Sequence, residues 1–460
     1  MQESVTPPTA KPILKKDWTQ GSIIGNIWLL AWPVMISSTF QMSGSTIDMI
    51  WVGKLGIASI AGVGVAGMAV QLVTVLMMGI TTGLRAMIAR FVGAGDTESA
   101  NHVAKQAFIV SAALAILTAA VGIFLAEPIM SLFGLAPDVI AEGVSYMRVM
   151  FVGASVMSFL IMVGGIMQAS GDTVMPMRIT VGTRLLHIAL CPFLIFGWWI
   201  FPRLGVSGAA LTNIISQGLG LILMLWILYS GRTRLQLTLS NIRLDLNIIW
   251  RMVKIGIPAS LTMLQYQFGA VVLMWLIASF GTVAVAAHTV AQRIEMLIMM
   301  PSTGLGMAAG VLAAQNLGAG QAARAERGGW LASGLVTSVT CIGAVVMLLW
   351  SKSIVGIFSS DPATVAMGSI FLKIAVIGFF MMSVASVLFN CLLHVGDTIP
   401  ALISVLVTVW LVELPLAYFL PEITGLGVYA IRWAIVAHTV VLATTMIIYF
   451  RHGRWKRKKI

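Results

Sequence analysis

Apolar runs long enough to cross a bilayer recur along the whole chain, with short polar breaks between them. A helix needs about 20 residues to span the hydrocarbon core. On that length the pattern predicts twelve helices, near 24–52, 57–84, 104–125, 144–168, 176–200, 206–230, 252–279, 283–314, 329–350, 368–393, 400–420 and 425–450. The pattern also repeats. At an offset of 225 residues Pro33, Gly44, Gly56, Pro137, Gly143 and Gly153 fall on Pro258, Gly269, Gly281, Pro362, Gly368 and Gly378. Gly93-Ala94-Gly95 falls on Gly318-Ala319-Gly320, and Gly171-Asp172-Thr173 on Gly396-Asp397-Thr398. The register slips only late, where Pro192 pairs with Pro415 and Leu204-Gly205-Val206 with Leu426-Gly427-Val428. The fold class this predicts is an all-α membrane protein of twelve transmembrane helices in two pseudo-symmetric six-helix lobes. Duplicated membrane chains of this kind place their sites between repeats that rock against each other.

The polar breaks set the expected boundaries: an N-terminal arm over 1–23, an N-lobe over 24–230, a linker over 231–250, a C-lobe over 251–450 and a basic tail over 451–460. The arm is expected to be poorly ordered on the membrane surface. The linker is the longest polar break and the natural hinge. No Ala-x-Ala type cleavage site follows the basic start, so the first run is kept as helix 1 rather than a removable signal.

Composition agrees with the pattern. Apolar residues make up 59% of the chain and charged residues 10%, and the mean hydropathy is +0.97, a balance that a soluble core of this length cannot hide. The net charge of +12 is distributed by side. Arg85, Arg90, Lys105, Arg178, Arg232, Arg234, Arg243, Arg251, Lys254, Arg324, Arg327 and the tail from Arg451 to Lys459 fall on one side, against Lys54, Arg203 and Lys352 on the other. The positive-inside rule then makes both termini and the linker cytoplasmic, in a multi-pass protein of the cell's inner membrane. The basic residues serve topology and anionic lipid, not nucleic acid. The tail Arg454-Trp455-Lys456-Arg457-Lys458-Lys459 reads as a lipid-facing stop signal, and Trp198, Trp199 and Trp455 as an interfacial belt. Cys191, Cys341 and Cys391 lie inside spans, which implies no disulfide framework and ordinary packing roles. The two Gly-Ala-Gly turns lack the Lys-Ser/Thr and the preceding strand of a phosphate loop. They are expected to be sharp turns whose glycines supply positive φ.

Ionisable side chains at membrane depth are costly, so each is a functional candidate. On helix 1, Ser37, Gln41, Gly44, Ser45 and Asp48 fall within an arc of about 100°, a polar stripe turned toward protein or water. The matched positions in the second half are Thr262, Tyr266, Gly269, Ala270 and Leu273, so the repeat keeps the glycine and drops the acid. That asymmetry makes Asp48 the leading ion-coupling candidate, against the alternative of a satisfied polar residue at the outer rim. Glu295 is the second candidate. It shares a face of helix 8 with His288 and Gln292, where the first half has Val63, Gly67 and Val70. A cavity role and a structural pair with Arg293 near Pro301 are both open. Helix 5 offers Arg184, His187 and Cys191 on one face. If that face meets helix 1, Arg184 or His187 neutralises Asp48 in one state and releases it in another, a switch suited to proton exchange; a plain ion pair is equally open. Glu413, beside Pro415, is expected to pair with Arg432, and Arg148 and Lys373 to snorkel toward headgroups. Met296, Met299 and Met300 suit either a cavity for apolar cations or packing.

These residues together resemble the MATE (multidrug and toxic compound extrusion) transporters, over essentially the whole chain. The resemblance rests on Trp32-Pro33, on Asp48-Met49-Ile50-Trp51-Val52-Gly53, on the two Gly-Ala-Gly turns, on the repeated Gly171-Asp172-Thr173, and on Ala286-Ala287-His288 through Pro301 with Gly304. It is nearest to the DinF-like branch. It implies efflux of small organic cations or amphipathic drugs in exchange for protons or sodium, by a monomer whose partners are substrate and membrane lipid, with no cofactor beyond the coupling ion. Asp48 matches the family's helix 1 carboxylate. The branch's helix 5 Asn and Asp are replaced here by His187 and Cys191, Asn213 stands near the helix 6 Thr, and Gln265 and Gln267 occupy the region of the helix 7 acid found in other branches. Asn213, Gln265, Tyr266 and Arg293 therefore join the expected cavity lining. Few oxygens make a poor sodium cage, which favours protons. The competing reading is a flippase for a lipid-linked anionic substrate held by Arg184, His187 and Arg293. No His-Glu-x-x-His, Gly-x-Ser-x-Gly or paired-aspartate signature supports an enzyme.

Overall fold

The computed structural model describes residues 16–134, 136–231, 233, 235–238 and 243–458. It contains twelve membrane-length helices: α1 (Ile23–Gly53), α2 (Ile57–Gly93), α3 (Thr97–Ser131), α4 (Pro137–Ala169), α5 (Val174–Phe196), α6 (Val206–Tyr229), α7 (Leu246–Ala278), α8 (Thr282–Gly318), α9 (Ala322–Phe358), α10 (Pro362–Val395), α11 (Thr398–Thr424) and α12 (Val428–His452). Every predicted span is present, and most run longer than their apolar core. Hydropathy marks the part that crosses hydrocarbon, whereas capping extends the ends into polar sequence. Asp96 and Asp361 accept the backbone N–H groups of Ser99 and Thr364 at the starts of α3 and α10.

The packing reproduces the sequence repeat. In the N-lobe α4 lies against α2, α3 and α6, and α5 against α1 and α6; in the C-lobe α10 lies against α8, α9 and α12, and α11 against α7 and α12. The late register slip leaves equivalent geometry, since Gly205 and Gly427 start α6 and α12 at φ 57° and 58°. A departure from the symmetry lies in α11, where Thr408–Glu413 is a π-helical segment. Pro415 removes a donor and crowds the carbonyl one turn back, which favours such a bulge.

The lobes meet along α1 against α8 and α2 against α7, with α2 and α8 crossing between them. Each lobe's core therefore borrows from the other. Ile27, Leu30 and Ala31 of α1 pack with the C-lobe core, and Met252 and Ile255 of α7 with the N-lobe core. Small residues make this approach possible: a Cβ on Gly83 would lie 2.2 Å from the Met252 carbonyl oxygen, and one on Gly304 2.4 Å from Met35. At the end that carries the tail the backbones of the two lobes also touch. A Cβ on Gly93 would lie 2.0 Å from the Gln315 carbonyl oxygen, and one on Gly318 2.0 Å from that of Arg90. Gly93 and Gly318 are thus helical contact points between lobes, and only Gly95 and Gly320 supply the expected positive φ, at 77° and 74°.

Three polar segments differ from expectation. In the arm, residues 1–15 lie outside the described residues, but Trp18 is buried against Gly171, Asn26 bonds to the Trp18 and Gln20 carbonyls, and Arg324 donates to the Gly21 carbonyl at 2.6 Å. In the linker, 246–250 is the first turn of α7, and the preceding residues are strapped to α3. Gln106 donates to the Arg243 carbonyl at 2.7 Å and accepts from the Asp245 N–H, while His102 meets Asp245 at 3.1 Å. The His102 side chain first, and then the Ile248 and Asn247 N–H groups, hold the Asp245 carboxyl below its ordinary range. Arg232, Arg234 and 239–242 lie outside the described residues.

The tail packs onto the protein through Trp455, Lys456 and Lys458, while Arg454 and Arg457 are exposed. Trp455 is fully buried, stacks on Phe450 at 4.5 Å and donates to its carbonyl at 2.8 Å, so it is a core residue and not part of a belt. Lys456 meets Glu326 at 2.7 Å and Lys458 meets the buried Asp397 at 3.2 Å, while Arg90 of α2 donates to the Lys458 carbonyl at 2.5 Å. The tail therefore bridges the two lobes. Lys459 lies outside the described residues.

Candidate functional site

The N-lobe site begins with α1 and α5 lying side by side. His187 and Cys191, four residues apart, share one face of α5 and reach Asp48 of α1: His187 Nε2 lies 3.0 Å from Asp48 Oδ1, and Cys191 Sγ donates to the same oxygen at 3.5 Å. His187 and Cys191 are fully buried and Asp48 is 8% exposed. A dry shell of Val52, Ile195 and Val206, with Trp51, Tyr146 and Phe196 packed on it, surrounds the thiol. One turn earlier, the Arg184 guanidinium lies on Gly44, where a Cβ would come within 2.8 Å of it. Glycine in the α1 stripe thus admits the arginine. Of the two expected partners, His187 makes the direct contact with Asp48 and Arg184 sits beside it.

Next to this cluster opens a cavity of about 170 Å³, lined in part by Gln41, Arg85, Gln168, Arg184 and Gln217 with Met78 and Met157. Asn213 bonds to Gln217 and so stands behind the wall. Ser37 is buried one turn before Gln41. The side chain of Ser45 lies outside those described. Arg85 was expected in a cytoplasmic loop, but α2 continues to Gly93 and carries it into the lobe. The apolar Ala86-Met87-Ile88-Ala89 that follows it is the signal for this.

The C-lobe holds a separate network. Glu295 pairs with Arg432 of α12, which is 3% exposed, donates toward His288 Nδ1 at 3.2 Å, and lies 5.2 Å from the Phe371 ring. This corrects two expectations. Arg293 and Gln292 are exposed and stay outside the pair, and Arg432 is unavailable to Glu413. The π segment instead sets Glu413 against His438 of α12 at 3.3 Å, a histidine that the rule on intramembrane ionisable groups would have flagged. Gln265 accepts from Trp410 at 3.0 Å, and Tyr266 is exposed. Arg148 meets Glu127 at 3.6 Å on the surface. Asp48 and Glu295 thus belong to different lobes and different networks.

Two pseudo-symmetric helical bundles meeting at a small-residue seam, each with its own buried ionisable network, are the architecture of repeat-built membrane transporters. The family model for MatE matches residues 33–193 and 258–419, once per lobe. The chain belongs to that family. Its relatives include a probable multidrug resistance protein NorM of Thermotoga maritima, 24% identical over 436 residues that cover 94% of this chain and 93% of the relative. A protein of Shewanella oneidensis named as an FAD transporter is 26% identical over 342 residues, 74% of this chain and 75% of its own. Among solved structures, a multidrug resistance MATE family transporter in an outward-facing conformation superposes with a TM-score of 0.87 at 24% identity, covering 96% of this chain and 98% of that one.

Proposed function

We propose that the protein is a proton-driven antiporter that exports small amphipathic organic compounds, with Asp48 and His187 as the proton-carrying pair. The observation that carries this reading is the buried carboxylate–imidazole contact beside the N-lobe cavity. Carboxylates and histidines facing one another inside a membrane protein are the groups from which proton relays are built. Sodium is disfavoured by the donor set, since one carboxylate, a nitrogen and a sulfur do not replace the several hard oxygens that ion requires. The NorM relatives support small organic substrates. With both termini at the cytoplasmic face of the inner membrane, the Gly93–Gly318 seam and the tail close the inner end, so this conformation is shut to the cytoplasm. The protein works as a monomer surrounded by lipid.

Substrate charge admits a second reading. Arg85 and Arg184 line the N-lobe cavity with no carboxylate among its lining residues, which favours a substrate carrying an anionic group, as in the relative named as an FAD transporter. Proteoliposomes given proton and sodium gradients separately, with a cationic dye or an anionic flavin nucleotide inside, test both. The expected result is pH-driven movement abolished by Asp48→Asn. Movement of the flavin alone establishes the anionic reading, and a response to sodium alone, or none to either gradient, overturns the proton-coupled exporter.

A further inference from the structure

We infer that Asp48, His187 and Cys191 form a binding site for a borderline or soft divalent cation of the Zn²⁺ class. Their three candidate ligand atoms lie within 4.8 Å of one another, and all three residues are buried. Zn²⁺ takes thiolate at about 2.3 Å, imidazole at about 2.0–2.1 Å and carboxylate at about 2.0–2.2 Å in tetrahedral geometry. Such bond lengths put neighbouring donors about 3.3–3.6 Å apart along a tetrahedron's edges. The observed separations from Asp48 Oδ1 are 3.0 Å to the imidazole and 3.5 Å to the thiol.

A second observation points the same way. His187 is fully buried, yet among the described residues neither ring nitrogen makes a hydrogen bond, because Nε2 lies within ion-pair distance of Asp48 without being aligned to donate to it. A lone pair turned to a point beside the carboxylate, rather than at it, is the arrangement of two ligands sharing an ion. The i, i+4 spacing of His187 and Cys191 puts two donors on one helical face, the spacing by which a helix supplies two metal ligands. The apolar shell of Val52, Ile195 and Val206 limits water and strengthens the bonds. Asp48 retains the only exposure of the three, which gives the ion its entry and leaves the fourth ligand position to water.

The charges close as follows. Zn²⁺ displaces the thiol proton of Cys191 to solvent, and the thiolate and the Asp48 carboxylate neutralise the ion. Arg184 on Gly44 then faces a neutral centre whose fourth ligand is water. Bound metal occupies the atoms that carry the proton in the antiport cycle and blocks it; this consequence, unlike the site, rests on the proposed function.

Co²⁺ is the probe, added to detergent-purified protein whose Cys341 and Cys391 are serine, so that Cys191 is the sole thiol. The expected spectrum has a thiolate-to-cobalt charge-transfer band in the near ultraviolet and intense tetrahedral bands in the visible, saturating at one ion per chain and discharged by Zn²⁺. Cys191→Ser removes the charge-transfer band and His187→Gln weakens binding at least tenfold, in protein that still elutes as a single monodisperse species. No band with Cys191 present overturns the site, as does a band that survives Cys191→Ser. In proteoliposomes micromolar Zn²⁺ is expected to inhibit the parent protein and spare Cys191→Ser. Metal binding without inhibition overturns the competition with protons and leaves the site standing, whatever substrate is moved.

Discussion

Arg432 shows how much of this molecule turns on single buried charges. It satisfies Glu295 and His288 at once and lies against Phe371. Removing one member of a buried pair leaves the other uncompensated and costs about 3–5 kcal/mol, whereas replacing both by neutral groups is often tolerated. Arg432→Met is therefore expected to lower unfolding stability in detergent by about 3 kcal/mol, and Glu295→Gln added to it to restore part of that loss. Additive losses in the double variant would show that the two residues act independently. The acids of the repeated Gly-Asp-Thr motif differ in a related way. Asp397 meets Tyr449 and Lys458, while Asp172 accepts backbone N–H groups at the start of α5, Met175 among them, and burial pushes its carboxyl up from the ordinary value. A duplicated motif thus keeps its turn and loses its electrostatic equivalence.

At the scale of elements, the tail after α12 carries a prediction of its own. Its 3₁₀ turn Arg454–Arg457 buries Trp455 completely, and the basic residues around it contact Glu326, Asp397 and Arg90. Truncating a fully buried tryptophan to alanine costs about 3–5 kcal/mol where the site cannot collapse, more than the partly exposed Lys456 and Lys458 pairs are expected to hold. Trp455→Ala is expected to release the tail, measured as trypsin cleavage after Lys456 and Lys458 at least tenfold faster than in the parent protein. Unchanged cleavage would mean that the ion pairs alone hold it. The π segment of α11 is the other element that breaks the repeat, and it belongs to the lobe whose acids face Arg432 and His438 rather than a thiol.

For the whole molecule, alternating access requires the Gly93–Gly318 seam to part and re-form. A side chain there cannot fit: the added atom meets backbone, which has nowhere to go. Gly318→Val is expected to leave each lobe folded and hold this end open. In a cysteine-free background, a cysteine at the buried Ala314 should react with maleimide at least tenfold faster in that variant, and transport should be lost. Slow labelling with transport intact would show that the seam tolerates bulk. Twelve spans, the duplication, the two lobes and the singular Asp48 were all legible in the chain, because apolar run length, period and unmatched positions are properties of neighbouring residues and of one fixed offset. The contact of His187 with Asp48 was open there as one of two partners. What needed the folded molecule was the choice among distant faces: Arg432 with Glu295 and not Glu413, Arg85 inside the N-lobe, Trp455 inside the C-lobe, and Gly93 against the far lobe. Those outcomes depend on which helix surfaces pack together. Side chains more than a hundred positions apart settle that by shape and by the cost of leaving a buried charge alone, and no local pattern encodes it.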